Sequence, residues 1–126
     1  EYPMKSLKDA GVLLAGASDY PVQVPSPPLM GIMLGVTRCE PGETDPGEIL
    51  GPEERMALEE MIECFTINGA RANFLEEESG SIEVSKKADM VVLEKNLFEI
   101  PATEIADTKV LMTVFEGKTV YRDVAL

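Results

Sequence analysis

The apolar and polar positions divide the chain into two zones with different periods. Up to about residue 78 they follow helical spacing interrupted by one short apolar run, and beyond it they read as strands and turns. Met4, Leu7 and Lys8 predict a short helix stopped by Gly11, since glycine readily takes the left-handed conformation just past a helix end. Val12 to Ala15 is a continuous apolar run of strand length. That pattern suits a strand covered on both faces, as in a parallel sheet flanked by helices. Helix, glycine stop and buried strand together make the αβ step of an α/β fold.

Pro21, Pro25, Pro27 and Pro28 then exclude regular helix or central strand. Leu29 to Val36 carries no polar side chain, and a helix that is apolar all round must be buried. No partner for it is evident in the chain, so the expectation is a homo-oligomer. Residues 40 to 52 read as an acidic loop, and the strongest helix follows. Leu58, Met61, Ile62 and Phe65 recur at helical spacing with Glu59, Glu60 and Glu63 on the wet face. It continues, with a break near Asn68-Gly69, into Ala70, Ala72 and Phe74. In the second zone Ile82 and Val84 alternate with polar residues, and Met90 to Leu93 is a β-type run. Val110 to Phe115, the Glu116-Gly117 turn and Lys118 to Tyr121 predict a hairpin. Between these lies a short helix with Thr103 as its N-cap.

Composition narrows the classes of function. At 126 residues the chain suits one domain-sized core. A net charge of −12 argues against nucleic acid and anionic membrane surfaces, which require clustered Lys and Arg. Residues 40 to 63 hold nine carboxylates against the single base Arg55, with no spacing of a calcium loop, and read as a solvated face. No apolar run approaches the roughly 20 residues of a membrane span, and no signal peptide is evident. The chain opens on Glu1 rather than Met, which suggests a natural chain beginning upstream. Cys39 and Cys64 form no paired motif, and with the missing signal they favour a cytoplasmic location. The chain has no His, so it lacks both the usual partner of a catalytic Cys and the commonest metal ligand. Met30, Met33, Met56, Met61, Met90 and Met112 sit in apolar patterns and read as core. Lys86-Lys87 reads as a solvated turn, and Arg38 as a cap for the apolar helix.

One carboxylate stands apart. Asp19 follows the apolar strand by one short step, in Ala15-Gly16-Ala17-Ser18-Asp19-Tyr20-Pro21. In α/β barrels function collects at the C-terminal ends of strands. An Asp held there and partly desolvated suits a general base or a metal ligand, although an Asp after a strand is commonly a turn former.

The stretches SLKDAGVLLAGASDYPVQVPSPPLMGIMLGVTR and PEERMALEEMIECFTINGARANF, followed by GSIEVSKKADMVVLEKNLFEIPATEIADTKVLMTVFEGKTVYRD, closely resemble the closing part of the amidohydrolase superfamily. The branch they resemble is that of the long-chain amidohydrolases, which includes formamide deformylases. This resemblance implies an α/β fold: residues 1–78 as the last strand and helices of a TIM-type barrel, and residues 79–126 as strands of a small composite β-sandwich. It implies a parent activity on non-peptide carbon–nitrogen bonds in an amide, formamide or cyclic amide substrate. Asp19 matches the residue that contacts the divalent metal, zinc for preference, or its water, and that carries the proton from attacking water to leaving amine. Ser18 and Pro21 match the same phrase as turn residues. Ser85 departs from it, since the family usually has Gly there. The family's histidine ligands have no counterpart in this chain, so this piece alone is expected to hold no catalytic metal and to be inactive. The other reading from the residues is a non-catalytic, self-associating or regulatory module derived from the same fold.

Overall fold

The computed structural model describes residues 2–22, 27–39, 49 and 51–124. Most of the expected acidic loop at 40 to 52 lies outside these residues. Among the described residues four α-helices, α1 (Met4–Asp9), α2 (Pro28–Thr37), α3 (Leu58–Cys64) and α4 (Ile67–Ala72), precede three strands, β1 (Met90–Leu93), β2 (Val110–Phe115) and β3 (Lys118–Arg122). Short 3-10 segments occupy Pro52–Glu54 and Ala102–Asp107. The strands form one antiparallel sheet in the order β1-β2-β3. Val91 stands opposite Thr113, and Thr113 opposite Tyr121, with irregularities at Val92/Leu93 and Thr113/Val114.

Helix α1 ends as its sequence requires. Gly11 has φ 82°, its N–H donates to Lys8 O, and Val12 N–H donates to Leu7 O. That pair of bonds closes the last carbonyls in a Schellman motif, which only a residue at ease in the left-handed region can complete.

The core gathers around α2. Ile32, Met33, Met56, Met61, Leu97 and Ile105 form its buried cluster, with Leu29, Leu58, Phe65, Leu93 and Ile100 packed against it. Three core methionines fill this space as expected, whereas Met90 is exposed and Met112 half-buried. The reading of α2 as a helix without partners in its own chain is corrected. Residues 32, 33, 35 and 37 are buried, and Ile105, at 0% exposure, sits on it from the 3-10 helix Ala102–Asp107. The partner lies some seventy residues down the chain, beyond the reach of local patterning. The ground for expecting self-association through α2 goes with it.

The end of α2 is closed differently from expectation. Arg38 takes a left-handed conformation (φ 61°), and its backbone N–H returns to Leu34 O at 2.9 Å. The free carbonyls are met by Arg55, whose Nε donates to Thr37 O at 3.1 Å, and by Met56 N–H, which donates to Gly35 O at 3.0 Å. In α3 the N-cap Ala57 has no side-chain oxygen; its N–H donates to Glu60 Oε2 at 2.9 Å. Glu60 also pairs with Lys8 of α1, so it ties two helices together rather than merely facing solvent.

Further sequence expectations shift. The helix break falls at Thr66 (φ −130°, ψ −99°), ahead of Asn68-Gly69. The 3-10 helix at Ala102–Asp107 is entered from Pro101, and Thr103 caps nothing. Ile82 and Val84, 83% and 98% exposed, belong to a turn-rich segment and to no strand. Val12 to Ala15 is extended but has no ladder partner among the described residues, and Val12 and Leu13 are about half exposed. An apolar run encodes a wish for cover on both faces, and these neighbours supply cover on one.

Candidate functional site

The site grows from the exit of α1. From Leu13 onward the extended segment alternates: Leu14, Gly16 and Ser18 are partly covered, while Leu13, Ala15, Ala17 and Asp19 are exposed. Asp19 follows as an exposed residue of the turn that ends this segment. On the covered side Gly16 N–H donates to Cys64 O at 2.8 Å, and the Phe65 ring lies directly against Gly16. A side chain at that position would collide with the ring, whose nearest carbon stands 2.5 Å from where a Cβ would be.

The chain then turns. Asp19 has φ 53°, a left-handed conformation that Asp tolerates better than most side chains. Tyr20 N–H donates to Ser18 Oγ at 3.3 Å, and Val22 N–H donates to Asp19 O at 2.8 Å. The Tyr20–Pro21 peptide is cis. Ser18 thus shapes the turn, as expected, through its hydroxyl. The backbone of Asp19 is held while its carboxylate stays open to solvent, so the expected partial desolvation is not met in these residues. A carboxylate in this state can accept a proton or bind a cation, but it is one ligand. Among the described residues no group of three His, Cys, Asp or Glu side chains could hold a metal ion. The described residues therefore do not fit a catalytic metal centre, which normally requires three or more protein ligands.

The remaining candidates resolve into structure. Cys64 is 2% exposed, and burial pushes its thiol pKa up, which keeps it protonated and unreactive. Lys86 pairs with Glu83 at 3.0 Å and donates to Ser81 Oγ at 2.7 Å. Lys87 reaches Glu78 at 3.0 Å and Glu116 at 3.5 Å, so the lysine pair fastens a turn rather than standing free in solvent. Ser85 has φ 79°, so the turn keeps a conformation suited to glycine despite the serine.

Sequence reasoning passed over the residues that back the site from behind. Met30, Gly31 and Leu34 of α2 and Phe65 line a shallow apolar pocket with Ala17 and Ser18. The available signal was the spacing of Gly31 and Gly35, which presents two small residues on one side of a helix.

Helices backing an extended segment that ends in a carboxylate-bearing turn, followed by a three-stranded sheet, make an arrangement of the α/β class. The sequence pattern of the amidohydrolase family matches residues 2–121, and the chain belongs to that family. An N-substituted formamide deformylase from Arthrobacter pascens is 34% identical over 116 residues, which is 92% of this chain and 20% of that protein. The protein LONG AFTER FAR-RED 3 of Arabidopsis thaliana is 35% identical over 120 residues, 95% of this chain and 20% of its own length. The chain therefore spans about a fifth of these curated relatives. The crystal structure of an amidohydrolase from Thermotoga maritima MSB8 superposes with a TM-score of 0.70 at 23% identity. The superposition covers 95% of this chain and 26% of that one, which establishes the shared fold.

Proposed function

We propose that these residues act as the C-terminal portion of a metal-dependent hydrolase that cleaves non-peptide carbon–nitrogen bonds, with an N-substituted formamide as the first substrate class to test. The observation that carries this reading is an exposed Asp19 in the turn that follows an apolar segment, in a chain of the amidohydrolase family. In this reading residues 1–78 close a barrel and residues 79–126 contribute strands to a small sandwich. Asp19 accepts a proton from the water that attacks the carbonyl carbon. It then returns that proton to the departing amine nitrogen as the C–N bond breaks. The divalent metal implied by the family, zinc for preference, takes its other ligands from outside the described residues. The 126 residues alone are accordingly expected to show no turnover.

The test is made in the whole protein that carries this chain, with release of formate from an N-substituted formamide as the readout. Asp19→Asn is expected to lower kcat by about 10²- to 10⁴-fold, the usual worth of a positioned acid–base group. The melting temperature should stay unchanged, because the side chain is exposed and Asn tolerates the same left-handed conformation. Full activity in Asp19→Asn would end this reading.

A further inference from the structure

The helical body holds α1 without burying it. No residue of α1 is buried, and its Met4 packs against the core cluster. Glu54, 48 residues beyond Ser6, is only 8% exposed. Its carboxylate accepts the Ser6 backbone N–H at 2.9 Å and the Ser6 hydroxyl. The first amides of a helix have no partner inside it, and a carboxylate is favoured at that end by both hydrogen bonding and the helix dipole. A carboxylate so nearly covered is tolerated because donors meet its oxygens. Glu54 therefore clamps the start of α1 across a large sequence distance.

Beyond α1 the Gly11 motif turns the chain into the arm at residues 12–19. Leu13 to Ala15 have no ladder partner among the described residues, so nothing of that kind fixes their register. The arm is instead bracketed by Glu54 on Ser6 upstream and Cys64 O on Gly16 N–H downstream. Asp19 lies three residues beyond the second anchor.

We propose that Glu54 is a positioning residue for Asp19: by clamping the N-terminus of α1 it fixes the arm that presents Asp19. The importance of Asp19 rests on the function proposed above, whereas the clamp can be tested without any activity. In the 126-residue chain, amide exchange is compared between the natural sequence and Glu54→Gln. The Ser6, Val12 and Gly16 amides are expected to exchange about tenfold faster in the variant, as fits loss of a charged hydrogen bond at a local opening. The Glu94 and Asp123 amides, which donate at 2.9 and 2.8 Å to Lys109 O and Leu111 O, should keep their rates. The NMR resonance of the Tyr20 amide should also shift, a displacement that a purely local cap would not produce. Ser6→Ala, which removes only the hydroxyl donor, should give a smaller acceleration at the same three amides. Acceleration at Ser6 alone, with Val12, Gly16 and Tyr20 unmoved, would overturn the proposal, because the clamp would then end at the helix. Equal acceleration at Glu94 and Asp123 would overturn it too, by making Glu54 a residue of global stability. Failure of the hydrolase reading would appear in the Asp19→Asn activity and leave these rates untouched.

Discussion

Phe65 lies against Gly31 so closely that a Cβ built on the glycine would stand 2.5 Å from the ring's Cζ. The same ring meets Gly16 on the extended arm at a like distance, so it is wedged between two glycine backbones. One turn further along α2, Gly35 receives the thioether of Met61, 2.3 Å from its ideal Cβ position. Helix α3 thus sits on a glycine pair of α2 by inserting two side chains into the gaps.

The two glycines should not respond equally to a methyl group. Gly31→Ala presses on a rigid ring already set against Gly16, and overpacking of that kind costs about 1–3 kcal/mol. The gain in helix propensity of about 1 kcal/mol offsets part of it. Gly35→Ala presses on a flexible thioether and should cost less. Urea unfolding of both variants would show the order, and a smaller loss for Gly31→Ala would contradict the wedge.

Ile105 joins the 3-10 helix Ala102–Asp107 to α2 and is fully buried. Ile105→Ala should destabilise the chain by about 2–5 kcal/mol through lost transfer energy and the cavity left behind. Chemical denaturation measures it directly. A loss under about 1 kcal/mol would mean that the contact with α2 contributes little.

Ser85 bears a left-handed backbone with a side chain that gains nothing evident from it. Ser85→Gly should stabilise the chain by roughly 0.5–1 kcal/mol, relief of strain exceeding the added freedom of the unfolded glycine. A rise in the thermal midpoint would bear this out, and a fall would mean that the serine side chain holds the turn.

The Glu54 carboxyl is held below the ordinary glutamate range, first by the Ser6 hydroxyl, then by the Ser6 N–H, with Arg38 adding to the effect and burial opposing it. Lys5 and Lys8 of α1 are engaged with Asp9 and Glu60. Because the folded pKa is depressed, the contribution of Glu54 is complete above the usual glutamate range. It is lost as pH falls through the lower, folded value. Melting curves should therefore separate the natural chain from Glu54→Gln at neutral pH and converge in acid. A gap that persists unchanged into acid would show that charge is not its source.

Local signals were legible wherever one short stretch decided the outcome. Gly11 could be read as a helix stop, and the hairpin around Glu116-Gly117 from alternation and a turn pair. The apolar runs marked α2, α3 and β1 correctly. What escaped depended on distant chain. Ile105 covering α2, and Glu54 serving α1, join residues whose neighbours give no hint of each other. Ile82 and Val84 misled because two alternating apolar residues are too few to separate a strand from an exposed turn. For the site, the turn at Asp19 was legible from its motif, but its exposure in this chain was not, since burial depends on which neighbours surround an edge.

The Glu116–Gly117 hairpin tip has a practical consequence. Lys87 holds Glu116, Glu116 N–H donates to Asp89 Oδ1 at 2.7 Å, and Gly117 N–H donates to Ala88 O at 3.0 Å. Hairpin tips are usually the first choice for grafting an epitope or a fluorescent label, because they tolerate inserted residues. Here the tip is a fastening point for the segment that leads into the sheet. A label placed there would unhook that segment and report on the damage it had caused.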